Sequence, residues 1–591
     1  MCGIAGILHF DPARLVDPNH LEAMGDGLRH RGPDAGAIWT DGPLGLVHRR
    51  LKIIDLSESA NQPMLSREGQ VALVYNGECY NYLELRRELI ARGHVFTTES
   101  DTEVVLQAYL EYGENFLERL RGMFALALWD RRSRRLLLAR DRLGIKPLYY
   151  SKQGGCLAFA SEVHPLLRLP WISRRMDPEA LGLYFRTYTV QDPHSIMADI
   201  QRVEPGGMLT VNASGLHARR WWQLSAELRA PDMEQSAKDL TRLLEETVSQ
   251  HLAADVPVGV ALSGGVDSSL VAVLAARRPG LHSFSLVQPG SLHDEGPEAA
   301  AFAAAIGTMH HEVQLPPLTP ALFERFVRSA DEPFAISSGL GLYALAQAAA
   351  QNGVKVLLTG DGGDELFAGY PWRHAAALDG KGQDPDPARA YAALSCYNGP
   401  NTLGALLAPE FLAAAGTGWQ EVLAKQYREC PVPDPLARRL YTDLRSTLTG
   451  EMLAKTDRMT MAHGVEGRVP LLDHRVVEYA MSLPAALKIS GGQGKAVLRH
   501  VAEGLLPHTI LSRPKRGFNI CIADSLASQQ KDWTISVLER AEARDFCYAP
   551  GAVRRLFIAP LQANQPFALE NSHRLFAVLA LELWMSIFMD A

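Results

Sequence analysis

An almost continuous apolar run at 256–262 ends abruptly in Ser263-Gly264-Gly265-Val266-Asp267-Ser268-Ser269, and a helical apolar pattern follows at once. A short run without polar alternation, flanked by glycine, suits a strand buried on both faces, as in parallel sheets. The glycines carry the chain through a tight loop, and a helix starts directly after it. Backbone N–H groups of such a loop, with the helix dipole behind them, attract an anion. Ser263, Ser268 and Ser269 add hydroxyl donors. A plain helix-capping turn is the bland alternative. The string has no Walker-type lysine, and its glycine spacing does not match a dinucleotide fingerprint.

The surrounding texture repeats the motif's logic. Strand-like runs at 283–287 and 354–358 alternate with helical patterns, which is the signature of a doubly wound parallel sheet. Beyond about residue 390 the chain reads as mostly helical. Before residue 210 the texture differs. Short apolar runs at 44–48, 71–75, 124–129, 136–139 and 148–150 read as strands, interrupted by helical patterns at 83–92 and 102–112. That is an α+β layered domain. The expected organisation is 1–210 as the first domain, 211–234 as a linker, and 235–591 as the second. Arg131, Arg132, Arg134 and Arg135 fall between two strands and read as a solvated hairpin turn; 377–389 reads as a surface loop.

Composition narrows the function classes. With 59 Lys+Arg against 66 Asp+Glu the formal charge is −7, which does not suit a general nucleic-acid binder. The 7 cysteines are odd in number and contain no Cys-x-x-Cys pair, as expected in a reducing cytoplasm rather than in a disulfide framework or zinc site. No basic segment precedes the short apolar run at the N-terminus, and the late apolar stretch at 575–589 is broken by Glu582 and too short to span a bilayer. A cytoplasmic enzyme acting on small molecules is expected.

Cys2 directly follows Met1. Removal of the methionine would give Cys2 a free α-amine of pKa near 7.7–8, so one residue would hold both a thiol nucleophile and its base. Arg50 lies where a strand ends. Asn76 and Gly77 offer a side-chain amide and a backbone N–H, the donor types of an oxyanion hole. Arg50 and Asp101 could meet the carboxylate and the ammonium of an amino acid. Each also has a plainer reading: Asn76-Gly77 as a hairpin turn, Asp101 as a helix cap, Arg50 as a surface charge. Further along, Thr359-Gly360-Asp361-Gly362-Gly363-Asp364-Glu365 ends a strand in an acidic glycine loop. Carboxylates facing a triphosphate are normally bridged by Mg²⁺. Lys495 closes a third glycine loop, placed to neutralise departing pyrophosphate, although by spacing alone it is an ordinary surface lysine.

Together with Arg29-His30-Arg31-Gly32-Pro33-Asp34, the N-terminal segments resemble the class II glutamine amidotransferases, an N-terminal-nucleophile (Ntn) sandwich. The resemblance implies that Cys2 attacks the glutamine carboxamide, that Asn76 and Gly77 hold the oxyanion, and that Arg50, Leu51, Ile53, Ile54, Glu78 and Asp101 bind glutamine. The loop at 263 is similar to that of the ATP-pyrophosphatases, which cleave ATP between the α and β phosphates. Over nearly its whole length, including 461–474 and 513–518, the chain resembles the glutamine-dependent asparagine synthetases. That resemblance implies an ATP site of Leu262, Ser263, Gly264, Gly265, Asp267, Ser268, Leu286, Thr359 and Gly360. It implies Mg²⁺ on Asp267 and Asp364, and Asp361 and Lys495 in adenylation of aspartate. A homodimer is common among such relatives. Ile336 and Gly341 stand where many relatives carry Asp and Pro, Gly467 where a β-branched or small aliphatic residue is commoner, and Cys79 where an aliphatic one is. A paralogue amidating another carboxylate, on a peptide or sugar acid, is the alternative acceptor; a plain Ntn-type glutaminase is the alternative without ATP.

Overall fold

The computed structural model describes residues 2–212, 215–229, 231–288, 294–370, 372–374, 385–513, 520, 522, 525–544, 546–565, 567 and 569–590. Residues 514–518 of the family-like segment, and most of the expected loop at 377–389, lie outside the described residues.

Two six-stranded sheets form the N-terminal part. One carries Gly3–His9 between Leu44–Arg50 and Cys156–Ala160, and the other carries Val71–Cys79 against Gly122–Asp130. Alternation along Val71–Cys79 explains how they stack. Ala72 and Val74 pack with Ile4, Leu8, Leu44 and Leu46 in the cluster between the sheets. Val71, Leu73 and Tyr75 pack the other way, against the helices Tyr82–Ala91 and Asp101–Tyr112. A strand with both faces covered by apolar layers is the centre of an αββα sandwich. The same period of two turns Asn76 inward, on the side of Ala72 and Val74. Its expected alternative, a hairpin turn, does not occur: residues 76 and 77 are interior to the strand.

The expected linker at 211–234 begins later than the sequence suggests. Gly207–Asn212 pairs with Gly215–Arg220 and completes the second sheet. The last strand is a polar edge, largely exposed, with Arg219 on Glu114 and Arg220 on Glu204. An edge strand of this composition carries no apolar alternation, so its sequence reads as linker. Arg131, Arg132 and Arg135 at the expected hairpin turn are all paired, with Asp41, Asp130 and Glu114.

The C-terminal part is a five-stranded, wholly parallel sheet in which Val258–Ala261 sits at the centre. His282–Val287 and Met309–Gln314 extend it on one side, Val356–Leu358 and Glu466–Arg468 on the other. The last of these has only three residues, Glu-Gly-Arg, with no apolar signal, yet all three are buried. Helices make up most of the remainder to Leu569–Phe588. Among the described residues no helix is long and apolar enough to cross a membrane. Two apolar clusters fuse the parts: one joins Leu51, Ile53, Ile54 and Met123 to Val258, Leu358 and Val469, and the other joins Ile7, Leu21 and Tyr149 to Phe284, Phe323 and Leu340.

Candidate functional site

Two sites emerge, one in each part. In the first, Cys2 precedes Gly3–His9 and is 7% exposed. Its backbone nitrogen donates to Asn76 Oδ1 at 3.0 Å. With Oδ1 so engaged, the Asn76 amide turns Nδ2 away, and that NH₂ is buried with no acceptor. A buried donor without a partner costs about 1–3 kcal/mol. Burial pushes the Cys2 thiol up, while the Leu51 amide and the Arg50 charge pull it down. Gly77 lies so close to the next strand that a Cβ would sit 2.4 Å from the Met123 carbonyl, so only glycine fits.

Arg50 and Asp101 close the site differently from the simple expectation. Both terminal nitrogens of Arg50 are engaged with the loop it precedes: Nη1 donates to Ser57 O at 2.7 Å and Asn61 Oδ1 at 2.8 Å, Nη2 to the carbonyls of Ile54 and Asp55. The guanidinium therefore moulds the segment carrying Leu51, Ile53 and Ile54, all buried, and keeps Nε outside these contacts. Asp101 opens the helix Asp101–Tyr112, but Ser100 is its cap, donated to by Thr102 N. The Asp101 carboxylate instead accepts from Cys79 N at 3.0 Å, beside Glu78. Burial pushes its carboxyl up to about 6. Glu78 is pushed well above the carboxylate range by burial and by Asp101, against the pull of Arg468.

In the second site, the loop at 263–265 leads into the helix Val266–Ala275, which has no side-chain cap. Its first N–H groups are thus left open to a ligand. Ser268 Oγ lies 2.8 Å from Ser263 Oγ and ties the loop to the helix. Across from it, the strand Val356–Leu358 runs into Thr359, Gly360 and Asp361. Lys495 Nζ reaches both elements, 2.5 Å from Asp267 Oδ2 and 2.6 Å from Asp364 Oδ1. Close approach is required: a Cβ on Gly369 would fall 1.8 Å from Asp364 Oδ1 and 2.5 Å from Lys495 Cε. Burial works against the Lys495 ammonium, and the two carboxylates outweigh it, raising its pKa. A cavity of about 940 Å³ opens here, lined by Leu262, Ser263, Gly264, Gly265, Asp267, Ser268, Leu286, Thr359, Gly360, Asp361, Asp364 and Lys495. Every residue expected at the nucleotide therefore shares one space. Arg499 and Arg513 also line it: Arg499 carries no signal in the sequence, and Arg513 enters there only as the start of the family-like segment 513–518, with no role attached; Arg513 lies against Gly264, where a Cβ would touch its Nη1.

The residues around Asp267 and Asp364 fit Mg²⁺. Two carboxylates converge on one positive charge at the mouth of a phosphate-type loop, and Mg²⁺ uses one or two carboxylates plus substrate phosphates and water. Among the described residues no group of three or more His, Cys, Asp or Glu could hold a metal by itself, so phosphate oxygens would complete the shell.

Residues 239–586 match the family model described as asparagine synthase, which is more than half of the chain. The chain belongs to the asparagine synthase family. Residues 1–222 match the glutamine amidotransferase domain. Asparagine synthetase (glutamine-hydrolyzing) 1 of Bacillus subtilis is 30% identical, over 99% of this chain and 97% of its own length. Asparagine synthetase (glutamine-hydrolyzing) 3 of the same species is 33% identical over 87% and 86%. Amidase chry2 of Gibberella zeae is 28% identical over 88% of both. Family membership accounts for both sites lying in one chain. Gly467, unusual in the sequence, has a steric reason: a Cβ there would meet Thr456 Cγ2 at 2.7 Å. Ile336 lines the cavity.

Proposed function

We propose that the chain is a glutamine-dependent asparagine synthetase, working on small molecules in the cytoplasm. Its activity would convert ATP, aspartate, glutamine and water to AMP, pyrophosphate, asparagine and glutamate. Two working units are proposed, 1–210 with the strand pair to Arg220, and 235–591. The single observation that carries the reading is the 940 Å³ cavity that gathers the serine–glycine loop, the two carboxylates and Lys495 in a chain that also places Cys2 against Asn76.

In the first site the Cys2 thiol would attack the glutamine carboxamide, expel ammonia and form a thioester that water hydrolyses to glutamate. With Met1 removed, the nitrogen now donating to Asn76 would be an α-amine able to take the thiol proton. Asn76 Nδ2 and Gly77 N–H would hold the developing oxyanion, and Glu78 and Asp101 would receive the substrate ammonium. Arg50 Nε and the walls at Leu51, Ile53 and Ile54 would position the rest.

In the second site a carboxylate becomes a usable electrophile only once its oxygen is carried off on AMP. The Val266–Ala275 helix start and Ser263, Ser268 would grip the phosphates. Lys495 would transfer its charge from Asp267 and Asp364 to the departing pyrophosphate. Mg²⁺ bound by those two carboxylates would supply neutralisation of phosphate charge. Ammonia, the nucleophile, would then attack the acyl carbon of the β-aspartyl adenylate, and AMP would leave with the acyl oxygen. Incubation with ATP, Mg²⁺, ammonium and a panel of carboxylates tests the reading. AMP and pyrophosphate should appear with aspartate; ADP in their place, or turnover only with a peptide or sugar acid, would overturn it.

A further inference from the structure

Between the two sites lies an ionic layer that neither mechanism uses. Arg31 and Arg468 are both 0% exposed, although each is a full positive charge in the middle of the molecule. Buried charges of this kind are costly unless fully paired, and both are. Arg31 Nε donates to the Cys2 carbonyl at 3.1 Å, and its terminal nitrogens make a two-pronged contact with Asp457, at 2.8 and 3.1 Å. Burial would raise the Asp457 carboxyl, and Arg31 and Lys146 more than reverse it. Arg468 Nη2 donates to Glu78 at 2.8 Å, Nε to Glu466 at 2.5 Å, and Nη1 to the carbonyls of His251 and Ala253 at 2.6 and 2.7 Å.

Both arginines lead to the same carboxylate. Asp457 is next to Thr456 on the helix Ala454–Met461, and Thr456 Oγ1 donates to Asp361 Oδ2 at 2.6 Å. Arg468 ends the strand Glu466–Arg468, and its carbonyl accepts from Thr359 N at 2.9 Å; Thr359 Oγ1 donates to that same Asp361 Oδ2 at 2.8 Å. The arms are braced against each other, because Gly467 seats its backbone on Thr456 without room for a Cβ. From Cys2 to Asp361, and from Glu78 to Asp361, every step is a hydrogen bond, an ion pair or an adjacent residue.

We propose that Arg31–Asp457–Thr456 and Arg468–Thr359 form a two-armed link through which the glutamine site and Asp361 bias one another. Arg31, Asp457, Thr456 and Arg468 are positioning residues, acting on Asp361 from one end and on Cys2 and Glu78 from the other, and Thr359 also lines the nucleotide cavity. The link rests on the reading of Cys2 and Glu78 as the glutamine site. Its source of bias is on the page: Glu78 Oε2 is held by Arg468, while Oε1 is buried without a partner. A substrate ammonium arriving at Oε1 changes the charge that Arg468 faces, and Arg468 is hydrogen-bonded through its own carbonyl to the loop bearing Asp361. Coupling free energy is reciprocal, so nucleotide in the cavity must alter glutamine affinity by the same factor.

The test measures KM and kcat for glutamate release from glutamine, with and without ATP, Mg²⁺ and aspartate. Wild-type KM should fall at least about fivefold on adding them, the lower end of usual coupling between sites. Thr456→Val removes only the hydroxyl that reaches Asp361. It should leave KM and kcat without nucleotide within about twofold, reduce the nucleotide-induced shift to less than twofold, and raise the glutamate-to-AMP ratio. Thr456→Ser should restore the shift. Arg468→Lys should lose it through the other arm; should that variant fail to fold, the Thr456 pair decides. A wild-type KM indifferent to nucleotide, or a Thr456→Val enzyme that keeps the full shift, would overturn the link. Absence of AMP from the wild type with ammonium would instead overturn the adenylation reading, since the KM shift needs only an occupied cavity.

Discussion

Replacing Lys495 by Met keeps the side chain's length and removes its charge. The ammonium contacts Asp267 at 2.5 Å and Asp364 at 2.6 Å and is almost excluded from solvent, at 7% side-chain exposure. With an effective dielectric constant of about 20, each contact is worth ~6 kcal/mol before desolvation is subtracted. The measurable part is smaller: removing one partner of a buried pair typically costs ~3–5 kcal/mol, because the remaining charge stays buried. Here two like charges are left facing each other. For a unit as large as 235–591 each kcal/mol shifts the midpoint by only ~1–2 °C, so the C-terminal transition should drop by roughly 5 °C in scanning calorimetry. Mg²⁺ without nucleotide should recover much of that loss in Lys495→Met, by binding where the ammonium was, and should do little to the wild type. AMP formation with ammonium as nitrogen donor should fall ~10²–10³-fold in kcat, the usual cost of losing one preorganised group aimed at developing charge. The rates are to be measured at saturating Mg²⁺ and ATP, so that the stability effect is removed. A variant that melts within about 2 °C of wild type and makes AMP within tenfold of it would refute the idea that Lys495 is what balances the two carboxylates.

Cys2→Ala should abolish glutamine-dependent asparagine formation and leave ammonium-dependent formation within about twofold, as measured by amino-acid analysis; loss of both would show that the sites are not separable. Gly369→Ala should eliminate AMP formation while glutamate release persists, since its Cβ would displace Asp364 and Lys495 together; normal AMP production would mean that this close approach is not needed. The free-enzyme Asp101 carboxyl, raised by burial to about 6, must ionise to meet an ammonium. kcat/KM for glutamine should therefore steepen by one further proton as pH falls through about 6, and Asp101→Asn should lose that added slope. The same burial favours the protonated, folded form: this group's contribution to stability is complete below about 4 and is lost as pH rises through about 6.

Much of the candidate chemistry was legible because it is written in contiguous strings. Ser263–Ser269 and Thr359–Glu365 are local loops whose glycines and polar groups are neighbours in the chain, so their spacing alone raises the expectation of a bound phosphate and of a bridging cation. Strands with covered faces announced themselves by apolar pattern at 71–75 and 256–262, although the first runs on through Asn76 and Gly77 to Cys79. The misses share a cause. Gly215–Arg220 is a polar edge and Glu466–Arg468 is three residues of charge and glycine, so neither carries the pattern that marks a strand. Arg50 was legible as a cation near the site, but its commitment to the carbonyls of 54–57 depends on how the following loop folds back.

By itself, the order of residues determined which groups could react and how the helices and strands around them begin, because those follow from local geometry, hydrophobic period and side-chain chemistry. Only the tertiary structure decided that Asp267, Asp364 and Lys495 meet around one charge, and that Arg31 and Arg468, 437 residues apart in sequence, stand in the same buried layer. A long-range ion pair leaves no trace in local spacing. Its partners become favourable only after packing has removed the water that would otherwise keep them apart.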